Sequence, residues 1–252
     1  MDNYLKDYND KIIRKKKQLL TLKDSPKKTE EFVNKIVSEN FEQLLYLTHN
    51  MNHDDALMNR NSSSDSDNHY LQALCLNAKP KKILEIGTWC GKSSYYMAAA
   101  SDCPIHTVDD NDEFCLVDGY EKYSNRINRN PNTHSLEFWP KNKEKGFDFI
   151  FVDGFINAED VQNIFEITRD NFWFATHDYY DHKLDRCKGF DAIKEMAVFA
   201  HTSKKYKYTF YAPHREWVAK GIPIYNDFGF GSLNTCIAVM YIEKDTQMGF
   251  SF

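Results

Sequence analysis

The chain has 252 residues, 42% of them apolar, enough for one large α/β domain with an appendage or for two small domains. Lys and Arg number 32 against 37 Asp and Glu, and the resulting charge of −5 argues against a general nucleic-acid binder. No apolar run reaches membrane-spanning length, and the N-terminus is too polar for a signal peptide. The six cysteines are scattered without a CxxC pair, which predicts reduced thiols and a cytoplasmic protein.

Residues 1 to about 26 are highly charged around Arg14-Lys15-Lys16-Lys17 and read as a solvated helix lying on the domain or a partner subunit. From Lys28 to Leu47, Phe32, Val33, Ile36, Val37, Phe41, Leu44 and Leu45 recur at helical spacing and predict one amphipathic helix. The polar stretch His49 to Asn68 predicts an exposed loop. His69 to Asn77 predicts a short helix ended by Pro80. We place a helical extension and polar loop at 1–68 and an α/β domain at 69–252.

Ile83 to Ile86 is an apolar run that meets glycine at Gly87, with a second glycine at Gly91 and then a helix to Ala100. This is the pattern of a buried parallel strand, a tight turn and a helix start, a place where backbone and ligand approach closely. Further strands are expected at Ile105–Val108, Thr133–Phe138, Phe147–Val152, Asn171–Thr176, Tyr206–Tyr211 and Thr235–Ile242. Helices are expected over most of Asn111–Ile127, over Ala158–Ile167 and over Gly189–Phe199. An aromatic, glycine-bearing loop, Tyr211 to Ser232, is the expected substrate-facing segment. The alternation predicts a doubly wound, mostly parallel sheet, in which ligands bind outside the carboxyl ends of the strands. Gly87 to Ser93, Asp109-Asp110, His134-Ser135, Asp153 and His177-Asp178 fall at those ends.

Three ligands compete for the turn. Gly91-Lys92-Ser93 imitates the end of a phosphate-binding P-loop, but only three residues separate Gly87 from Gly91 where that loop needs four. A dinucleotide fold wants GxGxxG, and Trp89 stands where its central glycine should be. S-adenosylmethionine has no phosphates and needs a carboxylate at the end of the second strand for its ribose hydroxyls. Asp109, 22 residues after Gly87, fits, and His134 or Ser135 could meet the adenine edge.

ILEIGTWCGKSSYYMA resembles the first motif of class I S-adenosylmethionine-dependent methyltransferases, above all the catechol and caffeoyl-CoA type O-methyltransferases and the methyltransferase domain 24 family. IHTVD, FDFIFVDG and the strand that runs into His177-Asp178 extend the likeness over roughly Tyr70 to Ile242. It implies a Rossmann-like, doubly wound, seven-stranded and mostly parallel sheet with its last strand antiparallel. It implies cofactor contacts at Glu85, Gly87, Thr88, Trp89, Gly91, Ser93, Asp109, Asp110, Ser135 and Asp153. It also implies a catalytic and metal-binding group at Asp153, His177 and Asp178, with Mg²⁺ or another divalent cation on hard oxygen ligands and Asp181 and His182 close by. Two stretches depart from the family. Gly154-Phe155-Ile156 lacks the histidine or lysine that follows the aspartate in relatives, which leaves His177 as the candidate general base. Asp170-Asn171-Phe172-Trp173 replaces a Pro-Gly-Gly turn. Trp139, Tyr179, Tyr180, Trp217, Tyr225, Phe228 and Phe230 are candidate walls of a substrate pocket. The expected function is O-methylation of a small-molecule hydroxyl, with a homodimer as a candidate assembly. The rivals are a non-catalytic Rossmann-like nucleoside-binding or assembly module and, third, a P-loop-like nucleotidase.

Overall fold

The computed structural model describes residues 26–50, 65–111, 120–141, 145–179, 188–212 and 235–245. The basic segment at 1–25, the stretch 51–64, residues 112–119 of the helix expected over Asn111–Ile127, Asp181, His182 and most of the aromatic loop lie outside these residues, as do Tyr180, Trp217, Tyr225, Phe228 and Phe230. The described remainder of that expected helix is a single 3-10 turn, Tyr120–Tyr123, followed by turns and the edge strand.

Helices α1 (Pro26–Glu39) and α2 (Phe41–Asn50) stand where one helix was expected. Asn40 makes the break: its side-chain amide donates to the Ile36 carbonyl at 2.7 Å, competing with the backbone ladder. Helix α3 (Asp65–Ala78) follows and begins four residues before the expected helix. Its polar first turns are not solvated, since Asp67, Asn68 and Gln72 are buried. The 68/69 boundary falls inside this helix, and Val33, Ile36 and Leu44 of the extension share one apolar cluster with Leu71, Ile83 and Phe149. Phe32 stacks on Tyr211 at 4.0 Å and on Trp173 at 5.7 Å, which seats α1 on the sheet.

The sheet comprises β1 (Ile83–Ile86), β2 (Ile105–Val108), β3 (Ile127–Asn130), β4 (Phe147–Val152), β5 (Thr168–Thr176), β6 (Tyr206–Tyr211) and β7 (Ala238–Lys244). Its order is β3-β2-β1-β4-β5-β7-β6. The first five strands are parallel, and β7 runs antiparallel between β5 and β6. This is the expected seven-stranded sheet with its last strand reversed. All four residues of β1 are buried, as a central strand covered on both faces demands. One face packs on α3 and α4 (Lys92–Ala100) through Tyr70, Leu74, Tyr96 and Met97. The other packs on α6 (Ala158–Ile167) and α7 (Lys188–Ser203) through Val161, Ile164, Ile193 and Met196.

One strand was misplaced. Thr133–Phe138, expected as strand, leads into helix α5 (Ser135–Lys141), and the edge strand is Ile127–Asn130. That edge strand buries only Ile127, so INRN carries almost no hydrophobic pattern to detect.

Candidate functional site

The carboxyl ends of β1, β2, β4 and β5 open onto one cavity of about 1090 Å³. Ligand pockets usually span about 300–1,000 Å³, so this one has room for two small molecules side by side. Its lining includes Gly87, Thr88, Trp89, Ser93, Asp109, Asp110, Ser135, Asp153, His177 and Asp178, all singled out from the sequence. Glu85 and Gly91 are not in that lining.

The first half of the site is the turn after β1. Gly87 has φ +90°, and a Cβ there would lie 2.8 Å from the Asp153 backbone, so only glycine lets β1 and β4 approach at this point. Trp89 also has positive φ, at 46°, which is a strained conformation for a bulky residue and presents the indole at 42% exposure on the cavity. Four backbone donors of the turn are already spent. Thr88 N and Trp89 N donate to Asp109 Oδ2 at 2.6 Å each, Gly91 N donates to Thr88 O at 2.8 Å, and Gly87 N donates to Val108 O at 2.9 Å. A phosphate cradle needs such donors free, so the P-loop reading loses its physical basis here. Asp109 Oδ1 accepts from Asn111 N at 2.9 Å and, with two lone pairs, keeps one for a further donor. Asp110, exposed beside it, offers a second carboxylate.

Glu85 sits behind the turn, fully buried. It accepts hydrogen bonds from the hydroxyls of Ser93, Ser94 and Thr107. The Thr107 hydroxyl in turn meets that of Thr88. Glu85 thus ties the first turn of α4 to β1 and β2, a position that shapes the turn from beneath. Burial pushes its pKa up to about 7 against the opposing pull of the three hydroxyls, and the charge of Asp153 adds to the rise.

The second half of the site gathers at the ends of β4 and β5. His177 Nδ1 lies 3.0 Å from Asp178 Oδ1 and 3.2 Å from Asp153 Oδ1, contacts of charge more than aligned hydrogen bonds. Nε2 lies 3.2 Å from Asp67 Oδ2 and 3.3 Å from Cys236 Sγ. Burial alone would lower the imidazole pKa, but the carboxylates of Asp153, Asp178 and Asp67 outweigh it and, with Cys236, hold it well above the ordinary value. The carboxylates that surround the ring therefore favour its protonated form. The close contact of His177 with Asp178, against burial and together with the charge of Lys188, lowers the Asp178 pKa to about 2.

Three members of this cluster were missed from the sequence. Asp67, from the polar stretch taken for a loop, accepts on Oδ1 from the Thr235 hydroxyl at 2.9 Å and from Cys236 N at 3.0 Å. Cys236 itself read as one scattered thiol. Lys188, at the start of α7, donates to Asp153 Oδ1 at 2.8 Å and to the Asp153 carbonyl at 2.7 Å, and pairs with Asp178 Oδ2 at 3.2 Å. Gly189 was the available signal. A Cβ there would fall 2.1 Å from the His177 carbonyl, so glycine alone brings the first turn of α7 against the end of β5 and carries Lys188 into the site.

The proposed aromatic walls divide differently. Trp139 and Tyr179 are core residues; Trp139 Nε1 donates to Asp160 at 2.7 Å and Tyr179 packs near Phe190 and Phe210. Among the described residues, the Trp and Phe rings that line the cavity are Trp89 and Phe155, the latter 83% exposed.

Residues 84–179 match the family described as a methyltransferase domain. No curated protein matches the sequence. Among solved structures, the chain is similar to an O-methyltransferase from Bacillus cereus in complex with SAH, at 17% identity and a TM-score of 0.53, over 84% of this chain and 97% of that one. It is similar as well to cofactor-bound Rv0187 from MTB, at 14% identity and a TM-score of 0.52, over 88% of this chain and 98% of that one. At these identities the likeness is one of fold, and the fold is the Rossmann-like one of methyltransferases.

Proposed function

Starting from a methyltransferase domain at residues 84–179, we propose that this chain moves a methyl group from S-adenosylmethionine to a hydroxyl oxygen of a small molecule. One observation carries the reading. A single cavity joins a glycine turn whose Thr88 and Trp89 backbone donors are spent on Asp109, as suits a ligand without phosphates, to a charged strand-end cluster. Bound along the turn, S-adenosylmethionine supplies a methyl carbon on a positive sulfonium, and its departure leaves a neutral thioether.

The residues of the chain divide the remaining work. Asp109 Oδ1 and Asp110 would receive the ribose hydroxyls, Trp89 would cover one side of the cofactor, and Ser135, at the start of α5, would meet the adenine edge. Gly87 and Gly91 shape the turn, and Ser93 holds it to Glu85. Asp153 and Asp178 face the acceptor. The acceptor hydroxyl would donate to one of these carboxylates, which would take up the proton released when the oxygen accepts the methyl group of the bound cofactor and the carbon–sulfur bond breaks. A carboxylate of pKa about 2 is a weak base, so proton transfer follows bond formation, when the oxygen has become strongly acidic. Most of the rate comes from holding the oxygen in line with the methyl group. Phe155 and Trp89 give the mouth of the cavity an apolar rim suited to an aromatic or otherwise apolar acceptor.

Among the described residues no helix is long and apolar enough to cross a membrane. Cys75, Cys90, Cys103 and Cys236 are free thiols, which supports a reducing, cytoplasmic setting.

Calorimetry with S-adenosylhomocysteine, S-adenosylmethionine, NAD and ATP tests the proposal. Both adenosyl ligands are expected to bind, with affinity falling at least tenfold in Asp110→Ala. Binding of ATP or NAD with neither adenosyl ligand sinks it. Adenosyl binding without methyl transfer to any hydroxylated acceptor would favour a nucleoside-binding module over an enzyme.

A further inference from the structure

In this fold the ends of β4 and β5 are where a divalent cation is expected, and Asp153, His177 and Asp178 bring ligand atoms within 4.8 Å of one another there. The surrounding residues do not fit one. Lys188 Nζ already stands between the two carboxylates, and its three N–H donors have three oxygens to meet: Asp153 Oδ1 at 2.8 Å, the Asp153 carbonyl at 2.7 Å and Asp178 Oδ2 at 3.2 Å. Two carboxylate oxygens and a carbonyl are the donor set that a hard divalent ion would take. Both ring nitrogens of His177 already face carboxylates, Nδ1 toward Asp153 and Asp178 and Nε2 toward Asp67.

We infer that the Lys188 ammonium is the resident cation of this site, standing where a divalent ion would stand, so that acceptor methylation here proceeds without a metal. The inference rests on the methyltransferase reading above. The placement is built into the backbone. Gly189 permits the approach of α7, and Gly189 N donates to the Asp178 carbonyl at 3.2 Å, locking the first turn of the helix to the strand end. Asp178 meets it with a positive φ of 53°, a conformation held only because its neighbours fix it. A divalent ion entering this oxygen set would meet the like charge of the Lys188 ammonium. Lys188 is thus a positioning residue: it fixes the two carboxylates that face the acceptor oxygen and supplies the positive field that a metal supplies elsewhere.

Calorimetric titration of the full-length protein with Mn²⁺ and Mg²⁺, with melting curves with and without EDTA, tests this. The unaltered protein is expected to bind neither ion at this site and to melt at the same temperature with and without chelator. Lys188→Gln and Lys188→Ala open the oxygen set and are expected to gain at least tenfold in Mn²⁺ affinity, with a melting temperature that rises on adding Mn²⁺. Lys188→Arg keeps a cation in place and stays insensitive to Mn²⁺. Saturable Mn²⁺ binding by the unaltered protein that disappears in Asp178→Asn overturns the inference. So does failure of both neutral variants to gain affinity. S-adenosylhomocysteine titrated in the same preparations separates the two claims: its failure to bind sinks the methyltransferase reading and leaves the metal result standing.

Discussion

Two carboxylate clusters lie on either side of Gly87, and they solve the problem of a buried negative charge in opposite ways. Beneath the turn, Glu85 is surrounded by three hydroxyls and no cation, and its pKa is pushed up to about 7. Across the cavity, Asp178 shares its surroundings with Lys188 and His177, and its pKa is brought down to about 2. Neutral donors do not offset the desolvation of a fully buried carboxylate; full positive charges do, helped at Asp178 by a 39% exposed side chain. The first cluster serves structure and the second faces the cavity, and the electrostatics follow that division. A carboxylate meant to accept a proton from a substrate must be ionised beforehand, whereas one that only ties a helix to a strand need not be.

The largest effect should come from detaching the cations at once. Gly189→Ala places a Cβ against the His177 carbonyl and should cost about 3 kcal/mol or more, measured by urea denaturation, with the Asp178 carboxyl returning toward its ordinary range by NMR titration. Nearly as large is the pH response of the other cluster. The folded-state pKa of Glu85 stands above its unfolded value, so its contribution is fully present below about pH 4.5 and is lost as pH rises through about 7. A shift of this size corresponds to about 3 kcal/mol across that window. Glu85→Gln, which imitates the protonated form, should flatten that part of the stability–pH curve; an unchanged slope would mean that Glu85 does not titrate there.

Removing one cation should cost less than moving the helix. Lys188→Met leaves two carboxylates facing each other and should destabilise by about 2 kcal/mol at neutral pH, below the ~3–5 kcal/mol of a fully buried pair because the site opens to the cavity. The smallest effect is expected for Ser94→Ala. One of three hydroxyl donors to Glu85 is lost, costing about 1 kcal/mol at pH 8 and less at pH 5, where the glutamic acid is neutral. An equal cost at both pH values would show that the hydroxyl matters to packing and not to charge.

Much of this arrangement was legible in the sequence because it is local. The strand, the two glycines and the helix start occur within eighteen residues, and Asp109, Asp153 and His177-Asp178 each follow directly on an apolar run. Lys188 and Asp67 were not legible for the opposite reason. Asp67 follows Asn61-Ser62-Ser63-Ser64, a composition that signals loop, yet it is buried by contact with residues 110 and 169 positions away. Lys188 lies 35 positions from Asp153, and nothing in KGFDAIKEM separates it from an ordinary exposed lysine except the glycine that follows. His177 was legible as a strand-end residue, but its contact with Asp67 was not, because that residue lies 110 positions away.

The position of β7 has a further consequence, for how the molecule is made. The last strand in sequence is not the last in space: it inserts between β5 and β6 and alone joins β6 to the rest of the sheet. The residues just before it, Thr235 and Cys236, hold Asp67. Until that segment leaves the ribosome, β5 has an open edge, β6 has no sheet to join and Asp67 lacks the donors that orient it. Pairings of such long sequence separation close late and slowly, so the charged cluster should be the last part of the protein to assemble, after the glycine turn has formed from neighbours in the chain.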